Sequence, residues 1–550
     1  MTGEAPRYPL ALAWGLAALA VRAALAARAP IIEVDGAYWA GLGAALERGD
    51  LRHGLSTAWP PLYPAAIAAF LRVARLLGRT IEPATLEACA RAASVVAGTL
   101  LLVPLHALAR RLLEPRAAAV ATLLAAFHPR MLQYSAAALS ETTFALCLVA
   151  ALALLVAREQ ESYGAWAREA GAGALFGLAY IARPEGLPLA AALWLAGLIL
   201  RPPASDGTPA SAAPRALAAR LRPAFVIATV VVALPWLLFV HATLGRWSLG
   251  EKGEYNFWRA FAVEYAADFP APVALAERVN ESPEIAPAPS GPGVRAVAFA
   301  LRHPGVVGLR CARNLAIIVT STLPAVLYWP LVPLALVALF RPRRPGVWPV
   351  AVTLGAMPLL YAPFSVDRRF FVPAVPLLLI ACAAGVDRLE ARLRRGTPGA
   401  PGARRGIDAA LALLFALSVV YTFAKGAGFE AAPEHRRAGE WLRRNAGALR
   451  RTGASASTGV GERPVVMARK PWVAFYSGGL ISALPDVPPD SLYFLARTRG
   501  SDVLVADERS ARTDRPRLQS LLIASRVPGG FGLLHEEPGP PRLLLYRTTR

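Results

Sequence analysis

The stretch IIEVDGAYWAGLGAALERGDLRHGLSTAWPPLYP, residues 31–64, decides how this chain folds. It follows an apolar segment long enough to cross a bilayer, and Asp35 stands where that segment must end. An aspartate is costly inside hydrocarbon, so it marks the membrane boundary. The residues after it are too polar to span the membrane and too apolar to leave it. They therefore predict segments that lie along the membrane surface.

The whole chain has the composition of a polytopic membrane protein. Of its 550 residues, 55% are hydrophobic and only 17% are charged. The apolar residues fall in repeated runs of roughly 16–22 residues, the length that crosses a bilayer. The formal net charge of +22 comes almost entirely from arginine, which stands in short loops between those runs. This placement indicates membrane topology and argues against a nucleic-acid partner.

Two local features give no further function class. The four cysteines lie in or beside apolar segments without metal or disulfide spacing. An Ala-x-Ala pattern near residue 28 is typical of a signal peptide, but the many later spans favour a first helix that is retained.

Arginine clusters predict the sides of the membrane, because positively charged loops stay in the cytoplasm. The clusters are Arg110/Arg111/Arg116, Arg215/Arg220/Arg222, Arg341/Arg343/Arg344 and Arg392 to Arg405, with weaker ones at Arg158 and Arg168. With all of them inside, the chain has about eleven spans, an N-terminus inside and a C-terminus outside. The predicted spans are 9–28, 92–109, 117–131, 138–157, 170–182, 185–200, 223–241, 325–340, 346–362, 371–387 and 407–424.

Three segments are predicted to lie in the interface. Residues 62–77 are apolar enough to span, but a span there would move the Arg110 cluster outside. Their arginines recur at helical spacing on one face, as in interfacial helices. Segments 36–47 and 306–319 show a similar pattern. The loop 29–91 is therefore predicted to be external, with a full span at 62–77 as the alternative.

The remaining segments divide the chain into two domains. The linker 201–222 is rich in Pro, Ser and Ala and is predicted to be unstructured. Residues 244–303 form a second external loop. From residue 426 the long apolar runs stop, and PVVMA, DVLVA and RLLLY (464–468, 502–506 and 542–546) predict strands, with helices near 438–449, 491–498 and 517–524. We therefore predict a membrane domain at 1–425 and a small α/β domain outside the membrane at 426–550.

The predicted topology gathers acidic residues and arginines on one side. Asp35 and Glu33 follow the first span, and residues 128–141 join two spans there. Arg183 and Glu185 occupy one external turn, and 367–369 (DRR) occupy another. Such groups at the membrane edge are costly unless they are paired or used.

The motifs at these turns resemble those of the GT-C class of membrane glycosyltransferases. The resemblance is to glycosyltransferase family 39, which holds the protein O-mannosyltransferases, and to lipid A aminoarabinose transferases and bacterial RgtA-like enzymes. The motifs that carry it are DGAYW, ERGDL, WPPLYP, HPRMLQYSAAALSE, ARPEG and DRRFFVPAVPLL. They cover most of the membrane region, and it is their order and spacing that are specific. The resemblance implies a GT-C fold.

The resemblance also implies a reaction and its residues. The donor would be a sugar on a polyprenyl phosphate, and Asp35 would be the catalytic base. A phosphate leaves readily, so it needs cations rather than a general acid, and attack from the opposite face inverts the sugar. Arg369 is the first candidate for the donor phosphate, followed by Arg368 and Arg183.

The chain departs from the family pattern at three positions. Gly36 follows the predicted base where Glu is common, Trp59 replaces a Lys or His before the Pro-Pro pair, and Phe370 replaces a tyrosine. A divalent metal therefore stays open, and no other cofactor is implied. His53 is a candidate substitute for the missing group, and Trp59 and Tyr63 are candidate substrate contacts.

Each candidate also has an ordinary interpretation. Asp35 could be a helix-end carboxylate paired with an arginine. Glu141 is either an acceptor- or metal-binding carboxylate or an internally satisfied residue. Arg183 and Arg369 could anchor in lipid headgroups. The aromatic residues between 247 and 269 fit an interfacial aromatic belt at least as well as a sugar site.

The sequence thus predicts an inverting glycosyltransferase in the bacterial inner membrane, with its active site and C-terminal domain on the periplasmic side. Its partners would be the lipid-linked donor, membrane lipids, and a glycan, lipid or protein acceptor. A transporter or flippase for lipid-linked sugars is one alternative. It predicts ionisable residues deep in spans and related halves, which the sequence lacks. A non-catalytic membrane scaffold is another, and it would leave Asp35 dispensable.

Overall fold

Apolar helices form most of the fold before residue 426. The structure is a computed structural model that describes residues 8–156, 164–199, 223–253, 256–257, 296–339, 347–364, 366–396, 402–426, 431–445, 463–513 and 515–549. The predicted linker 201–222 lies outside these residues, as do most of the external loop 244–303 and the arginines at 158, 215, 220, 222, 341, 343 and 344.

The helices of this region follow one another with short connections. They are α1 (Tyr8–Ala27), α2 (Val34–Glu47), α3 (Leu51–Gly54), α4 (Leu62–Leu76), α5 (Pro83–Leu100), α6 (Leu102–Leu112), α7 (Pro115–Phe127), α8 (Pro129–Ala136), α9 (Glu141–Leu155), α10 (Ala165–Ala182), α11 (Gly186–Ile199), α12 (Pro223–Leu244), α13 (Ala296–Arg302), α14 (Pro304–Ile317), α15 (Leu323–Leu327), α16 (Val332–Leu339), α17 (Trp348–Tyr361), α18 (Val375–Gly396) and α19 (Gly402–Lys425). A π-helix covers Ile318–Thr322, and 3₁₀ helices cover Trp329–Leu331 and Arg368–Ala374.

The chain is an integral, multi-pass membrane protein. By length and composition, five helical stretches of the described part can cross a bilayer: Pro83–Leu112, Pro223–Leu244, Pro304–Leu327, Arg368–Leu393 and Arg405–Lys425. The pair α8 and α9, bent by 119°, adds a sixth if it is one broken span. Shorter apolar helices occur at Ala13–Ala27, Pro115–Phe127, Gly186–Ile199, Trp329–Ala338 and Trp348–Tyr361. The count of about eleven spans stays a prediction.

One predicted boundary differs from the structure. The segment 306–319, predicted to be interfacial, continues through the π-helix to Leu327 as one stretch of 24 residues with the composition of a span. The break falls instead at Tyr328, inside the predicted span 325–340, where φ is 69°. A left-handed backbone ends a helix, and neither hydropathy nor charge reports it.

Close packing fixes α2 against its neighbours. A Cβ on Gly43 would lie 2.7 Å from Ile67 Cγ2 of α4, and one on Gly36 would lie 2.8 Å from Ala138 Cβ. The bulkier residue common at position 36 in the family therefore has no room here. At the far end of α2, Glu47 pairs with Arg75 of α4 at 2.7 Å. The two helices α2 and α4 thus hold Asp35 at a defined height above the end of α1.

The C-terminal region holds a small five-stranded sheet. Its strands are β1 (Val465–Ala468), β2 (Leu480–Ala483), β3 (Val503–Asp507), β4 (Phe531–Glu537) and β5 (Leu543–Thr548), in the order β2-β1-β3-β5-β4. Strand β1 is parallel to β2 and β3, and β5 is antiparallel to β3 and β4. The helices are α20 (Pro433–Arg444), α21 (Trp472–Ser477), α22 (Pro489–Thr498) and α23 (Glu508–Thr513), with 3₁₀ helices at Pro516–Leu522 and Ala524–Arg526.

Three of these strands were predicted and two were not. PVVMA, DVLVA and RLLLY form β1, β3 and β5, whose side chains are mostly buried. Strand β2 has only four residues, and β4 mixes glycine, histidine and glutamate. Edge strands of this kind carry a weak hydrophobic pattern. The division of the chain at residue 426 into two domains remains a prediction.

Candidate active site

Asp35 forms the centre of a charged cluster in the first turn of α2, where the helix dipole favours a carboxylate. Its side chain is 14% exposed. Arg369 Nη2 lies 2.5 Å from Asp35 Oδ2, and Lys252 Nζ lies 3.6 Å from the same oxygen. The arginine comes from the 3₁₀ helix Arg368–Ala374, whose start is capped by the Asp367 side chain accepting from Arg369 N. Residues far apart in sequence thus meet at one carboxylate.

A second carboxylate joins Arg369 to Arg183. Glu141, in the first turn of α9, is fully buried and accepts hydrogen bonds on one oxygen from Arg369 Nε and from Arg183 Nη1, the latter at 2.9 Å. Arg183 caps the C-terminus of α10 and also contacts Glu185 at 3.0 Å. Glu185 in turn accepts from the Tyr361 hydroxyl at 2.8 Å. Helix ends therefore supply every group of this buried network.

The charges around Asp35 control its protonation. Burial alone would raise the pKa of the Asp35 carboxyl, but Arg369 and Lys252 hold that pKa well below its ordinary value. Burial instead prevails at Glu33, where it raises the pKa despite the guanidinium of Arg91 at 3.4 Å. Asp35 is therefore ionised at neutral pH and is already paired with cations.

Lys252 enters the site from the loop after α12. Its ammonium lies 3.3 Å from the centroid of the Trp59 ring, a cation–π contact. That ring packs against Tyr38 at 5.9 Å and Trp39 at 4.6 Å between ring centroids. The neighbouring Glu251 is joined to the Trp59 segment by a hydrogen bond from Thr57 Oγ1 at 2.6 Å. An ammonium thus approaches Asp35 beside the family position that Trp59 occupies here.

Two cavities open beside the Asp35–Arg369 pair. The larger has a volume of about 360 Å³ and reaches Trp59, Arg183 and the backbone around Gly250. The segment Arg469, Lys470 and Pro471 of the C-terminal region lines its far wall. The smaller has a volume of about 250 Å³ and is lined by Ile31, Ile32, Glu33, Val34, Asp35, Tyr134, Leu139, Asp367 and Arg369.

The structure brings together most, but not all, of the predicted site residues. Asp35, Arg369, Arg183 and Trp59 line the larger cavity, and Glu141 contacts two of them directly. Three others lie away from both cavities. His53 is exposed and pairs with Asp50 at 2.8 Å, Arg368 is exposed, and Tyr63 is fully buried with its hydroxyl on the Ala90 carbonyl.

Sequence reasoning missed three cations of the larger cavity: Lys252, Arg469 and Lys470. Lys252 and Lys470 are two of only three lysines in the chain. Their rarity, and the aromatic residues beside each, were signals that could have marked them. The described residues contain no group of three His, Cys, Asp or Glu side chains placed to hold a metal ion.

The C-terminal region holds the segment just before Asp35. Trp472 Nε1 donates to the Ile32 carbonyl at 2.7 Å, and Ile32 N donates to the Tyr476 hydroxyl at 2.9 Å. Arg91 donates to the Ile31 carbonyl at 2.7 Å. Both backbone groups of Ile32 are therefore satisfied by side chains of α21, over 400 residues away in sequence.

We predict that Trp472→Phe lowers turnover by roughly tenfold. The variant keeps most of the packing but leaves the buried Ile32 carbonyl without its donor, at a cost of about 1–3 kcal/mol, and loosens the segment that leads to Asp35. The measurement is kcat and donor KM in detergent or nanodiscs, and KM should stay near its original value. Trp441→Phe is the control, because Trp441 stacks on His535 within the C-terminal region. Equal effects of the two variants would contradict the prediction.

The comparisons with known proteins agree with this architecture. Residues 59–239 match the model of the family described as dolichyl-phosphate-mannose-protein mannosyltransferase. No curated protein sequence matches the chain. Among solved structures, ArnT from Cupriavidus metallidurans bound to undecaprenyl phosphate superposes with a TM-score of 0.60 at 15% identity, covering 98% of each chain. The Archaeoglobus fulgidus oligosaccharyltransferase, tethered to an acceptor peptide, gives a TM-score of 0.54 at 14% identity, covering 98% of this chain and 74% of its own.

The chain has a GT-C fold. The resemblance predicted from the motifs is confirmed, and the family match supports the predicted enzyme class, a glycosyltransferase. The matched residues 59–239 include Glu141 and Arg183 but neither Asp35 nor Arg369. The roles of Asp35 and Arg369 therefore depend on the geometry of this chain.

Proposed function

We propose that this GT-C glycosyltransferase is an inverting enzyme that moves a sugar from a polyprenyl phosphate to an acceptor. The observation that carries the proposal is a single cavity at the ends of apolar helices that holds one carboxylate, Asp35, among several cations. A lipid phosphate needs cations at the membrane edge, and its tail needs apolar helices beside them. Undecaprenyl phosphate is the ligand in the similar ArnT structure, which supports a donor of this class.

The cations would hold the phosphate of the donor. Arg369 presents a planar guanidinium and Lys252 a mobile ammonium on the same side of Asp35. Charge-assisted hydrogen bonds from such groups strengthen as the leaving phosphate gains charge, which lowers the barrier. Glu141 and Arg183 lie behind Arg369 and orient it, since a buried ion network fixes its members.

Asp35 would accept the proton of the acceptor. As the acceptor oxygen bonds to the anomeric carbon, its proton passes to the carboxylate, and the bond between that carbon and the phosphate oxygen breaks. The electron pair of this bond leaves on the phosphate, where Arg369 and Lys252 offset the charge. Attack and departure on opposite faces invert the sugar.

Donor binding would also activate the base. In the ligand-free site Arg369 and Lys252 lower the pKa of Asp35, which makes the carboxylate a weak base. A phosphate that draws both cations toward itself weakens these contacts and lets the pKa of Asp35 rise. The base is then strongest when the donor is in place, which favours an ordered reaction with the donor first.

We further propose that the cavity faces the periplasm of a bacterial inner membrane. The arginine clusters that predict cytoplasmic loops lie at chain positions other than the site turns, so the assignment of the site to the outer side does not use the site itself. The C-terminal sheet would then lie outside the membrane and close one wall of the cavity through Arg469 and Lys470.

The test is an assay of the purified chain with a panel of polyprenyl-phosphate sugars and an inner-membrane lipid extract as the source of acceptors. We expect free polyprenyl phosphate to appear with at least one donor, with the sugar recovered in another product of inverted configuration. A lipid transporter or a scaffold would release no carrier phosphate from any donor, and that result would reject the enzyme reading.

A further inference from the structure

The Asp35–Arg369 pair separates two cavities of different chemistry. Both cavities are lined by Val34, Asp35, Asp367 and Arg369, so these residues form a partition with a cavity on each side. In the ligand-free structure the two side chains meet at 2.5 Å. A nucleophile in one cavity and a sugar in the other would therefore face each other across Asp35.

The two cavities differ in charge. Five cationic side chains and three carboxylates line the larger one: Arg183, Lys252, Arg369, Arg469 and Lys470, with Asp35, Glu185 and Asp367. Arg369 is the single cation among the described residues that line the smaller cavity, beside the carboxylates of Glu33, Asp35 and Asp367. A phosphate is thus stabilised in the larger cavity and repelled in the smaller one.

The wall of the smaller cavity is held rigidly. Glu33 Oε2 accepts from Ala138 N at 2.8 Å, and Arg91 contacts the other oxygen at 3.4 Å. The Ile32 backbone is fixed by Trp472 and Tyr476. A cavity with buried, hydrogen-bonded walls keeps its shape when empty, as preorganised binding sites do.

We propose that the smaller cavity is the acceptor subsite and that it takes an uncharged, hydroxyl-bearing group without a phosphate. This inference rests on the proposed transferase function and specifies its second substrate. The volume of about 250 Å³ lies below the ~300–1,000 Å³ of drug-sized ligand sites, so the subsite admits one sugar unit or one side chain. The hydroxyl meets Asp35 from the side opposite the donor phosphate, as inversion requires.

The apolar part of the wall supports this choice. Ile31, Ile32 and Leu139 leave little hydrogen-bonding capacity for a multiply charged group, while the ring of Tyr134 offers a face for a sugar. Once the donor phosphate draws Arg369 from Asp35, the partition opens and the acceptor hydroxyl reaches the anomeric carbon. The larger cavity then binds the donor and the smaller one selects the acceptor.

The test separates the two cavities with matched variants. Leu139→Trp fills the smaller cavity and Leu249→Trp narrows the larger one, whose lining includes Leu249. We expect Leu139→Trp to bind undecaprenyl phosphate within about twofold of the unchanged enzyme but to lose at least tenfold in transfer. Leu249→Trp should lose undecaprenyl phosphate binding by a similar factor. Leu139 is buried, so Leu139→Phe is a milder second variant, with a smaller loss in the same direction.

Acceptor chemistry is tested on the unchanged enzyme. With an active donor in hand, octyl glycosides with free hydroxyls should compete for the sugar, and the same glycosides carrying a phosphate should compete at least tenfold less well. Better competition by the phosphorylated compounds would overturn the inference, as would loss of undecaprenyl phosphate binding in the Leu139 variants. Release of carrier phosphate that does not depend on residue 139 overturns only this inference, whereas no release from any donor rejects the proposed function itself.

Discussion

Asp35→Asn will abolish sugar transfer, with a loss of roughly 10²–10⁴-fold or more in kcat. Asparagine has nearly the same shape and can still accept a hydrogen bond from Arg369, but it cannot take a proton from the acceptor. The remaining cations stay satisfied, because Arg369 keeps Glu141 and the Lys252 ammonium keeps the Trp59 ring. We therefore expect normal membrane insertion and little change in thermal unfolding.

Binding of the carrier gives Asp35→Asn a second signature. Removing the carboxylate removes the group that competes with phosphate for Arg369 and Lys252. Undecaprenyl phosphate should therefore bind at least as tightly to the variant as to the unchanged chain. Asp50→Asn is the matched control, since Asp50 pairs only with exposed His53 among the printed ion pairs and asparagine caps a helix equally well. Turnover by Asp35→Asn at the level of the Asp50 variant would end the assignment of the base.

Arg369→Gln should lower kcat/KM for the donor by roughly 10²–10⁴-fold. The guanidinium contacts Asp35 and Glu141 at once, and a bound phosphate would replace or share these contacts. Two charge-assisted hydrogen bonds at about 1.5–3 kcal/mol each account for the loss. Glu141 would still accept from Arg183 at 2.9 Å, so the variant should fold.

The neighbouring arginine provides the control for this prediction. Arg368 carries the same charge one residue earlier, but it is exposed and lines neither cavity. Arg368→Gln should keep donor kcat/KM within about threefold, since an exposed charge is screened by solvent. Measurement of both variants with one donor, together with undecaprenyl phosphate binding, separates a specific contact from general attraction. Equal losses would point to the field of the whole surface.

Several features of the site were open to prediction because the membrane restricts where charges can lie. Asp35, Glu141, Arg183 and Arg369 each stand at the end of an apolar run, and a charge there must reach the surface or a partner. Counting spans between arginine clusters placed all four on one side, and in the structure they form one connected network. Their individual roles in catalysis stay predictions.

Other features were beyond sequence reasoning because they depend on how loops cross the surface. Lys252 follows α12 and approaches Asp35 only because Glu251 and Thr57 bind each other. Arg469 and Lys470 line the cavity because α21 docks on the Ile32 backbone. The irrelevance of His53 to either cavity follows from its pairing with Asp50, which the ERGDL motif alone does not indicate.

The amino-acid sequence by itself determined that this protein lies in a membrane, which residues stand at the membrane boundary and which family its motifs resemble. Hydropathy and charge act locally, since each apolar run must find hydrocarbon and each arginine must find water or a partner. Only the tertiary structure decided which cations meet Asp35, that its partner Arg369 separates two cavities, and that the C-terminal region holds the segment before it. Those contacts join residues hundreds of positions apart, and side-chain packing in three dimensions selects them.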